Sequence, residues 1–297
     1  MRVNATGCVT VSRRGETWAL LTAIYHEYVL PPPGEKSMSR NVPPDNSRPR
    51  IQVMAHRGLS SRYPENTVLA FAKALELDID SVEFDVHRTR DGALVVIHDA
   101  KLDRTTDGNG PVADRTLAEL KALDAGSWKA TEFAGERIPT LDETLDVMAR
   151  RPGIMLNVEI KDTTAATADA SIAALRRRGI LSNCVLTCFN AAVLAHIKRQ
   201  DSAIKVQGFP ARMMSNFAPE PHGTYSQMDY VGIHIGDATA ELGESFRRMG
   251  IVPGVWVVDD PAVAAKAVAM GMAIITSNAP DQILPVVRAV PTADARG

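Results

Sequence analysis

Ser81-Val-Glu-Phe-Asp-Val86 sets the architecture of this chain, because apolar and acidic side chains alternate along it. Alternation with a period of two predicts a β-strand and places Glu83 and Asp85 on the same face. A buried carboxylate without a partner is costly, so two neighbouring carboxylates on a strand indicate a bound cation. Oxygen ligands suit a hard cation such as Mg²⁺ or Ca²⁺ better than Zn²⁺, which prefers nitrogen and sulfur.

Three further apolar runs carry polar side chains or end in them. Residues 51–55 precede His56 and Arg57, residues 94–97 precede His98 and Asp99, and the run from residue 154 carries Glu159 and Lys161. Parallel α/β barrels keep their catalytic groups at the carboxyl ends of the strands. This set of residues could hold a divalent cation on a phosphate while one imidazole donates a proton and the other accepts one. The residues therefore predict a metal-assisted phosphodiester hydrolase.

Strand and helix patterns alternate after residue 50. Apolar runs predict eight strands, near residues 51–55, 81–86, 154–160, 184–189, 204–209, 229–235, 251–257 and 273–277. Helical patterns cover residues 67–77, 165–178, 191–200, 240–249, 261–270 and 280–288. Eight strands with intervening helices predict an α/β protein built as a single parallel (β/α)₈ TIM barrel.

The same patterns predict the domain organisation. Residues 1–49 are expected to be a flexible N-terminal extension, residues 50–290 the catalytic barrel and residues 291–297 a C-terminal tail. The connection after the second strand is longer than a normal crossover. We predict that residues from about 100 to 140 form a small lid-like insertion. Prolines and a glycine interrupt residues 207–228, where no convincing long helix is predicted.

The composition excludes several classes of protein. A net charge of −2 gives no basic surface for nucleic acid. Three cysteines, an odd number, argue against a disulfide framework. No uninterrupted apolar run reaches the 18 or so residues of a membrane helix. We predict a cytoplasmic protein, with secretion or a periplasmic location less favoured, and nothing in the chain indicates a protein partner.

The motifs together resemble the glycerophosphodiester phosphodiesterase family, over roughly residues 51 to 288. The matching motifs are His56-Arg57-Gly58, Pro64-Glu65-Asn66-Thr67, Glu83-Phe84-Asp85-Val86, His98-Asp99 with Leu102 and Arg104-Thr105-Thr106, Leu123-Asp-Ala-Gly-Ser-Trp128, Ile138-Pro-Thr-Leu141, Glu159-Ile-Lys161, Val255-Trp-Val-Val-Asp259 and Asn278-Ala-Pro-Asp281. Ser277-Asn278 departs slightly, since the family more often has Thr followed by Asp or Asn. The resemblance implies a TIM barrel of the PLC-like phosphodiesterase type.

The resemblance also implies a role for each site residue. Glu83, Asp85 and Glu159 would bind the metal, Mg²⁺ or Ca²⁺, and His56 and His98 would be the acid/base pair. Arg57 and Lys161 would bind the phosphate or balance its charge, and Trp256 would line the substrate pocket. Glu65 and Asn66 start the first helix beside His56, and this position favours support of the site and of substrate binding over simple helix capping. The residues leave open which histidine is the acid, although analogy with the family favours His56 as the base and His98 as the acid.

The implied reaction is metal-dependent hydrolysis of a glycerophosphodiester to glycerol 3-phosphate and an alcohol. Deacylated phospholipids such as glycerophosphocholine would be the small-molecule substrates. Attack by water and attack by the substrate's own glycerol hydroxyl, through a cyclic intermediate, are both open to these residues. The alternative is a lysophospholipase D or sphingomyelinase D-like enzyme acting on lysolipids, which would need an apolar groove for an acyl chain. The motifs around Glu65 and Arg104 favour the glycerophosphodiesterase.

Overall fold

The structure is a computed structural model that describes residues 50–220 and 222–290. It also describes the backbone of two short strands, Arg2–Val3 and Val9–Thr10, which pair antiparallel. Apart from that strand pair, the predicted flexible extension over residues 1–49 and the predicted tail over residues 291–297 lie outside the described residues.

Eight parallel strands close into a barrel, which confirms the predicted fold. The strands are β1 (Gln52–His56), β2 (Ser81–Arg88), β3 (Met155–Ile160), β4 (Cys184–Thr187), β5 (Lys205–Gly208), β6 (Tyr230–His234), β7 (Val252–Trp256) and β8 (Ile274–Ser277). Each strand pairs with the next along the chain, and β8 pairs with β1 to close the sheet. The strands run parallel, so their carboxyl ends meet at one mouth of the barrel.

Strand β2 is buried on both faces, and the two faces differ in chemistry. Val82, Phe84 and Val86 belong to the apolar core, and Phe84 packs edge-to-face on Phe71 of the preceding helix, with ring centroids 5.9 Å apart. Fully burying a side chain of this size contributes roughly 1.5–3 kcal/mol. Glu83 and Asp85 alternate with these residues, and both carboxylates are buried. One face of β2 therefore packs in the apolar core and holds the strand in place, while the other face carries the two carboxylates.

The helices lie between successive strands, with one gap. They are α1 (Val68–Leu75), α2 (Leu117–Lys121), α3 (Leu141–Met148), α4 (Ala165–Arg177), α5 (Ala191–Gln200), α6 (Ala240–Arg248), α7 (Pro261–Ala269) and α8 (Pro280–Arg288). Between β5 and β6 the described residues form only short 3₁₀ turns, at Ala211–Met213 and Tyr225–Gln227, so no long helix is present there, as predicted. Helix α3 is not among the predicted helices, although Thr140 and Glu143 form a capping box at its start.

The insertion after β2 has a small core of its own. The apolar run before His98 forms a short strand, Leu94–Val96, which pairs antiparallel with β2 and therefore is not a barrel strand. Beyond it, a second cluster of buried residues comprises Val95, Ile97, Leu102, Val112, Leu120, Ala125 and Ile138. The antiparallel pairing brings His98 back to the barrel mouth. That the insertion acts as a lid remains a prediction.

Candidate active site

The predicted site residues come together at the mouth of the barrel. Strand register sets their positions, since His56 lies opposite Glu83 on the neighbouring strand and Asp85 lies opposite Glu159. Six of them contribute to the polar lining of a cavity of about 120 Å³: His56, Arg57, Glu83, His98, Glu159 and Lys161.

The turn that carries His56 and Arg57 depends on glycine. Arg57 has a left-handed backbone, with φ of 58°, and its backbone N–H donates to the Glu83 carbonyl at 3.0 Å. Gly58 follows with φ of 85°, and a Cβ atom there would lie 2.6 Å from the Ala70 backbone. Because neither the space nor the backbone conformation suits a larger residue, Gly58 allows β1 to turn sharply at the site.

Glu83, Asp85 and Glu159 offer a set of carboxylate oxygens suited to a divalent cation. One oxygen from each lies within 4.8 Å of the others. Glu83 Oε1 is buried and has no hydrogen-bond partner among the described residues. A buried carboxylate oxygen without a donor is destabilising, and a cation would satisfy it. The three residues therefore fit a hard divalent metal.

Two cationic side chains partly neutralise the triad. Arg57 Nε lies 3.3 Å from Asp85 Oδ2, and Lys161 Nζ lies 2.7 Å from Glu159 Oε1 and 3.6 Å from Asp85 Oδ1. Burial acts to raise the pKa of Asp85, but the charges of Arg57 and Lys161 outweigh it and leave that pKa below its ordinary value. Asp85 is thus the carboxylate that stays ionised most readily.

The other two carboxyls are harder to ionise. Burial, with added repulsion from Asp85, raises the pKa of Glu159 to about 7. Burial also raises the pKa of Glu83 well above its ordinary value, and the charges of Asp85 and Glu159 act in the same direction. Both shifts arise because three carboxylates share a buried site that holds fewer positive than negative charges.

His56 is held by the residue that follows the last barrel strand. Its Nδ1 lies 2.7 Å from Asn278 Oδ1, just after β8, and its Nε2 lies 3.8 Å from Glu83 Oε2. Burial, followed by the charge of Arg57, lowers the pKa of His56 to about 4. At neutral pH the ring is therefore uncharged.

His98 is held by the insertion. Its Nδ1 lies 2.6 Å from Asp99 Oδ1, and Arg104 donates to both oxygens of the same carboxylate, at 2.7 and 2.9 Å. Burial is the main cause that lowers the pKa of His98, and the charge of Asp85 acts in the opposite direction. The ring is less buried than that of His56, with 30% against 13% of the side chain exposed, so His98 faces the more open side of the cavity.

Glu65 and Asn66 contact other site residues, and neither is among the residues that line the cavity. Glu65 accepts hydrogen bonds from Arg57 and from Arg104, each at 2.8 Å. It therefore links Arg57 on the barrel to Arg104 on the insertion. Asn66 Nδ2 donates to Asp85 Oδ2 at 2.8 Å. A direct contact of either residue with substrate remains a prediction.

The opposite side of the cavity is aromatic. Trp256 lies there with Phe189 and Phe209, whose rings stack with centroids 3.6 Å apart. Sequence reasoning missed both phenylalanines, although Phe189 ends the predicted strand run 184–189 and Phe209 ends the run 204–209. It also missed how Asn278 and Asp259 contact the site. Asn278 lies just beyond β8 and Asp259 just beyond β7, and a position after the carboxyl end of a barrel strand is what could have indicated them in the sequence.

A sequence model of the glycerophosphoryl diester phosphodiesterase family matches residues 56–282. The chain belongs to this family. A glycerophosphodiester phosphodiesterase from Caldanaerobacter subterraneus subsp. tengcongensis is 34% identical over 241 residues, 80% of this chain and 97% of that enzyme. One from Bacillus subtilis is 30% identical over 275 residues, 86% of this chain and 91% of the relative. Family membership confirms both the resemblance and the prediction of a phosphodiesterase.

The solved structures agree with the family assignment. A phosphodiesterase from Oleispira antarctica, determined in complex with the product sn-glycerol-3-phosphate, aligns with a TM-score of 0.71 and 30% identity. The alignment covers 80% of this chain and 97% of that one. Among the described residues, no helix of this family member has the length and apolar character needed to cross a membrane.

Proposed function

We propose that this protein hydrolyses glycerophosphodiesters to glycerol 3-phosphate and an alcohol, with a divalent cation held by Glu83, Asp85 and Glu159. The observation that carries the proposal is the buried carboxylate triad between two histidines and two cationic side chains. Family membership supports the reaction class. The product in the Oleispira antarctica structure supports a glycerol moiety in the substrate.

Charge balance supports a divalent cation. Three ionised carboxylates with Arg57 and Lys161 leave one net negative charge, which a divalent cation would change to one net positive charge. A phosphodiester carries a single negative charge, so these five side chains with the cation and the diester would together be neutral. Carboxylate oxygens as the protein ligands favour Mg²⁺ or Ca²⁺. When bound, the cation would withdraw charge from the phosphate oxygens as the transition state forms.

His56 is the general base in this proposal. Its lowered pKa keeps the ring neutral at pH 7, and its Nε2 faces the triad, where a nucleophile would be activated. Water and the substrate's neighbouring glycerol hydroxyl are both compatible with this role. Arg57 and Lys161 would bind the phosphate and stabilise the charge that gathers on its oxygens.

His98 is the general acid. An alkoxide leaves poorly unless it is protonated, so one imidazole must deliver a proton to the departing oxygen. The Asp99 carboxylate and the charge of a bound diester favour the imidazolium form of His98, whereas burial and the positive charges of Arg57, Lys161 and the cation oppose it. His98 also lies on the more exposed side of the cavity, from which the alcohol could leave.

The test is release of glycerol 3-phosphate from glycerophosphocholine and glycerophosphoethanolamine, with EDTA, Mg²⁺ or Ca²⁺. We expect release that requires metal and that falls by roughly 10²–10⁴-fold in His56→Ala and in His98→Ala. His196→Ala is the matched control, because that ring contacts Asp169 between α4 and α5, outside the cavity. Its rate should equal that of the wild type.

Lysophosphatidylcholine is the competing substrate. Folded, metal-loaded protein that cleaves it but releases nothing from either glycerophosphodiester would overturn the proposed substrate and favour a lysolipid phosphodiesterase. Full activity of His56→Ala would overturn the proposed base.

A further inference from the structure

We infer that Asp259 and Asn278 form a relay of hydrogen bonds that fixes His56 in its Nδ1–H tautomer and so directs the Nε2 lone pair towards the acidic triad. Neither residue lines the cavity, so both are positioning residues that act through His56. The tautomer itself follows from hydrogen-bond geometry alone. Only its consequence for the rate rests on the proposed function.

The relay begins at Asp259, which lies three residues beyond β7. Its Oδ1 accepts from three groups, Ser277 Oγ at 3.0 Å and the backbone N–H groups of Asn278 and Ala279 at 2.7 and 3.3 Å. Its Oδ2 accepts from Asn278 Nδ2 at 2.8 Å. Because an ionised carboxylate can only accept, the group that faces Oδ2 has to be a donor.

Asp259 therefore sets the orientation of the Asn278 amide. The amide NH₂ must face Asp259, so the amide oxygen must face the opposite way, towards His56. The reverse orientation would bring two acceptor oxygens together at hydrogen-bond distance. Ser60 does not decide the orientation, because its single hydroxyl proton can go to the His56 carbonyl at 2.7 Å or to Asn278 Oδ1 at 3.0 Å.

Asn278 in turn sets the tautomer of His56. An amide oxygen can only accept, so His56 Nδ1, at 2.7 Å, must carry the proton. A neutral imidazole carries one proton, and its lone pair is then on Nε2, the nitrogen that lies 3.8 Å from Glu83. The relay thus prepares His56 to accept a proton at the correct atom, as a third group does for other general bases.

The relay can be reversed by a single change of oxygen to nitrogen. In Asp259→Asn, Oδ1 can keep its three donors while an NH₂ group replaces Oδ2. That NH₂ would favour the flipped Asn278 amide, whose own NH₂ would then donate to His56 Nδ1. We expect His56 to change to the Nε2–H tautomer, which has no lone pair facing the triad.

A second substitution, at Asn278, should restore the Nδ1–H tautomer of His56. In the double variant Asp259→Asn/Asn278→Asp, the new amide donates to the new carboxylate, and that carboxylate accepts from His56 Nδ1. The matched control is Asp260→Asn, which makes the same change of charge at the next residue. Asp260 caps α7, a position where Asn serves equally well, so this variant should behave as the wild type.

The direct measurement is the ¹⁵N spectrum of protein labelled at histidine, recorded without metal at a pH where the ring is neutral. His56→Gln identifies the His56 signals among those of the seven histidines. We expect a protonated Nδ1 and an unprotonated Nε2 in the wild type, the reverse in Asp259→Asn, and the wild-type pattern in the double variant. An unprotonated Nδ1 in the wild type, or an unchanged tautomer in Asp259→Asn, would overturn the relay.

The rate measurement separates positioning from general stability. For Asp259→Asn we expect kcat to fall by at least about tenfold, within the range that a general base contributes, with KM unchanged. The double variant should recover most of the loss. A loss that the double variant does not recover would contradict the relay. A wild-type protein that shows the expected tautomer but releases no glycerol 3-phosphate would overturn the proposed function and leave the relay intact.

Discussion

Replacing Glu159 by Gln is expected to stabilise the metal-free protein at pH 8 and to change it little at pH 5. Glu159 is 12% exposed, and burial with the charge of Asp85 raises its pKa from 4.5 to about 7. Between these two values the folded protein holds a proton that the unfolded chain has released. The free energy of unfolding therefore falls as the pH rises through this window.

The magnitude follows from the size of the shift. Raising the pKa from 4.5 to about 7 corresponds to a loss of up to about 3 kcal/mol by pH 8. Gln has nearly the same shape and can still accept from Lys161, but it does not ionise. Relative to the wild type, Glu159→Gln should thus gain up to about 3 kcal/mol between pH 5 and pH 8.

Urea unfolding in EDTA at the two pH values measures this difference. Groups that Glu159 does not influence, such as His56 and Asp99, contribute equally to both proteins and cancel in the comparison. The charge of Glu159 also raises the pKa of Glu83, so the substitution lowers that pKa and adds to the gain in the same direction. With Mg²⁺ at pH 8 the wild type should become the more stable of the two proteins, because the ion stabilises the folded state only where all three carboxylates can bind it. Parallel pH profiles for the two proteins in EDTA would refute the assignment of a raised pKa to Glu159.

Three other substitutions have defined outcomes. Arg104→Ala should lower kcat by about 10- to 100-fold with unchanged Mg²⁺ affinity by calorimetry, because Arg104 holds both Asp99 and Glu65 in place; Arg104→Lys should retain part of the rate, and an unaltered rate in Arg104→Ala would count against this role. Glu83→Ala should abolish metal-dependent turnover with an unchanged circular dichroism spectrum, and normal activity with normal metal affinity would refute the ligand set. Thr140→Ala should lower the free energy of unfolding by about 1 kcal/mol in urea, since the side chain caps α3; Thr140→Ser should retain most of the stability, and equal losses in the two variants would argue against the cap.

The barrel was predictable because its strands are short and apolar and are punctuated by helical patterns of ordinary length. Helix α3 was missed because Asp142, Glu143 and Asp146 make its sequence look polar, although Leu141 and Leu145 face the core and Thr140 caps it. The direction of strand Leu94–Val96 was not predictable. An apolar run does not indicate the direction in which its strand will pair, and only the pairing with β2 shows that this strand runs antiparallel.

The residues of the candidate site were predictable from their positions along the chain, but the contacts between them were not. Strand ends carry His56, the acidic pair on β2 and the Glu159–Lys161 pair, and the period of two places each pair on one face. The contact of His56 with Asn278 joins residues 222 positions apart, and no local pattern indicates it. The stacked rings of Phe189 and Phe209 likewise come from the ends of two different strands.

Residue type and spacing alone establish a parallel barrel with histidines, carboxylates and cationic groups at one mouth, because strand and helix periods are local properties of the chain. The protonation states, the hydrogen-bond directions and the balance of charge come from tertiary structure. Glu83 and Asp85 are two residues apart on one strand, yet burial and neighbouring charges move their pKa values in opposite directions. Only in the closed barrel are these groups buried and in contact with Arg57, Lys161 and Asn278, which come from separate strands and turns. Burial and these contacts decide which carboxylate or histidine can accept a proton.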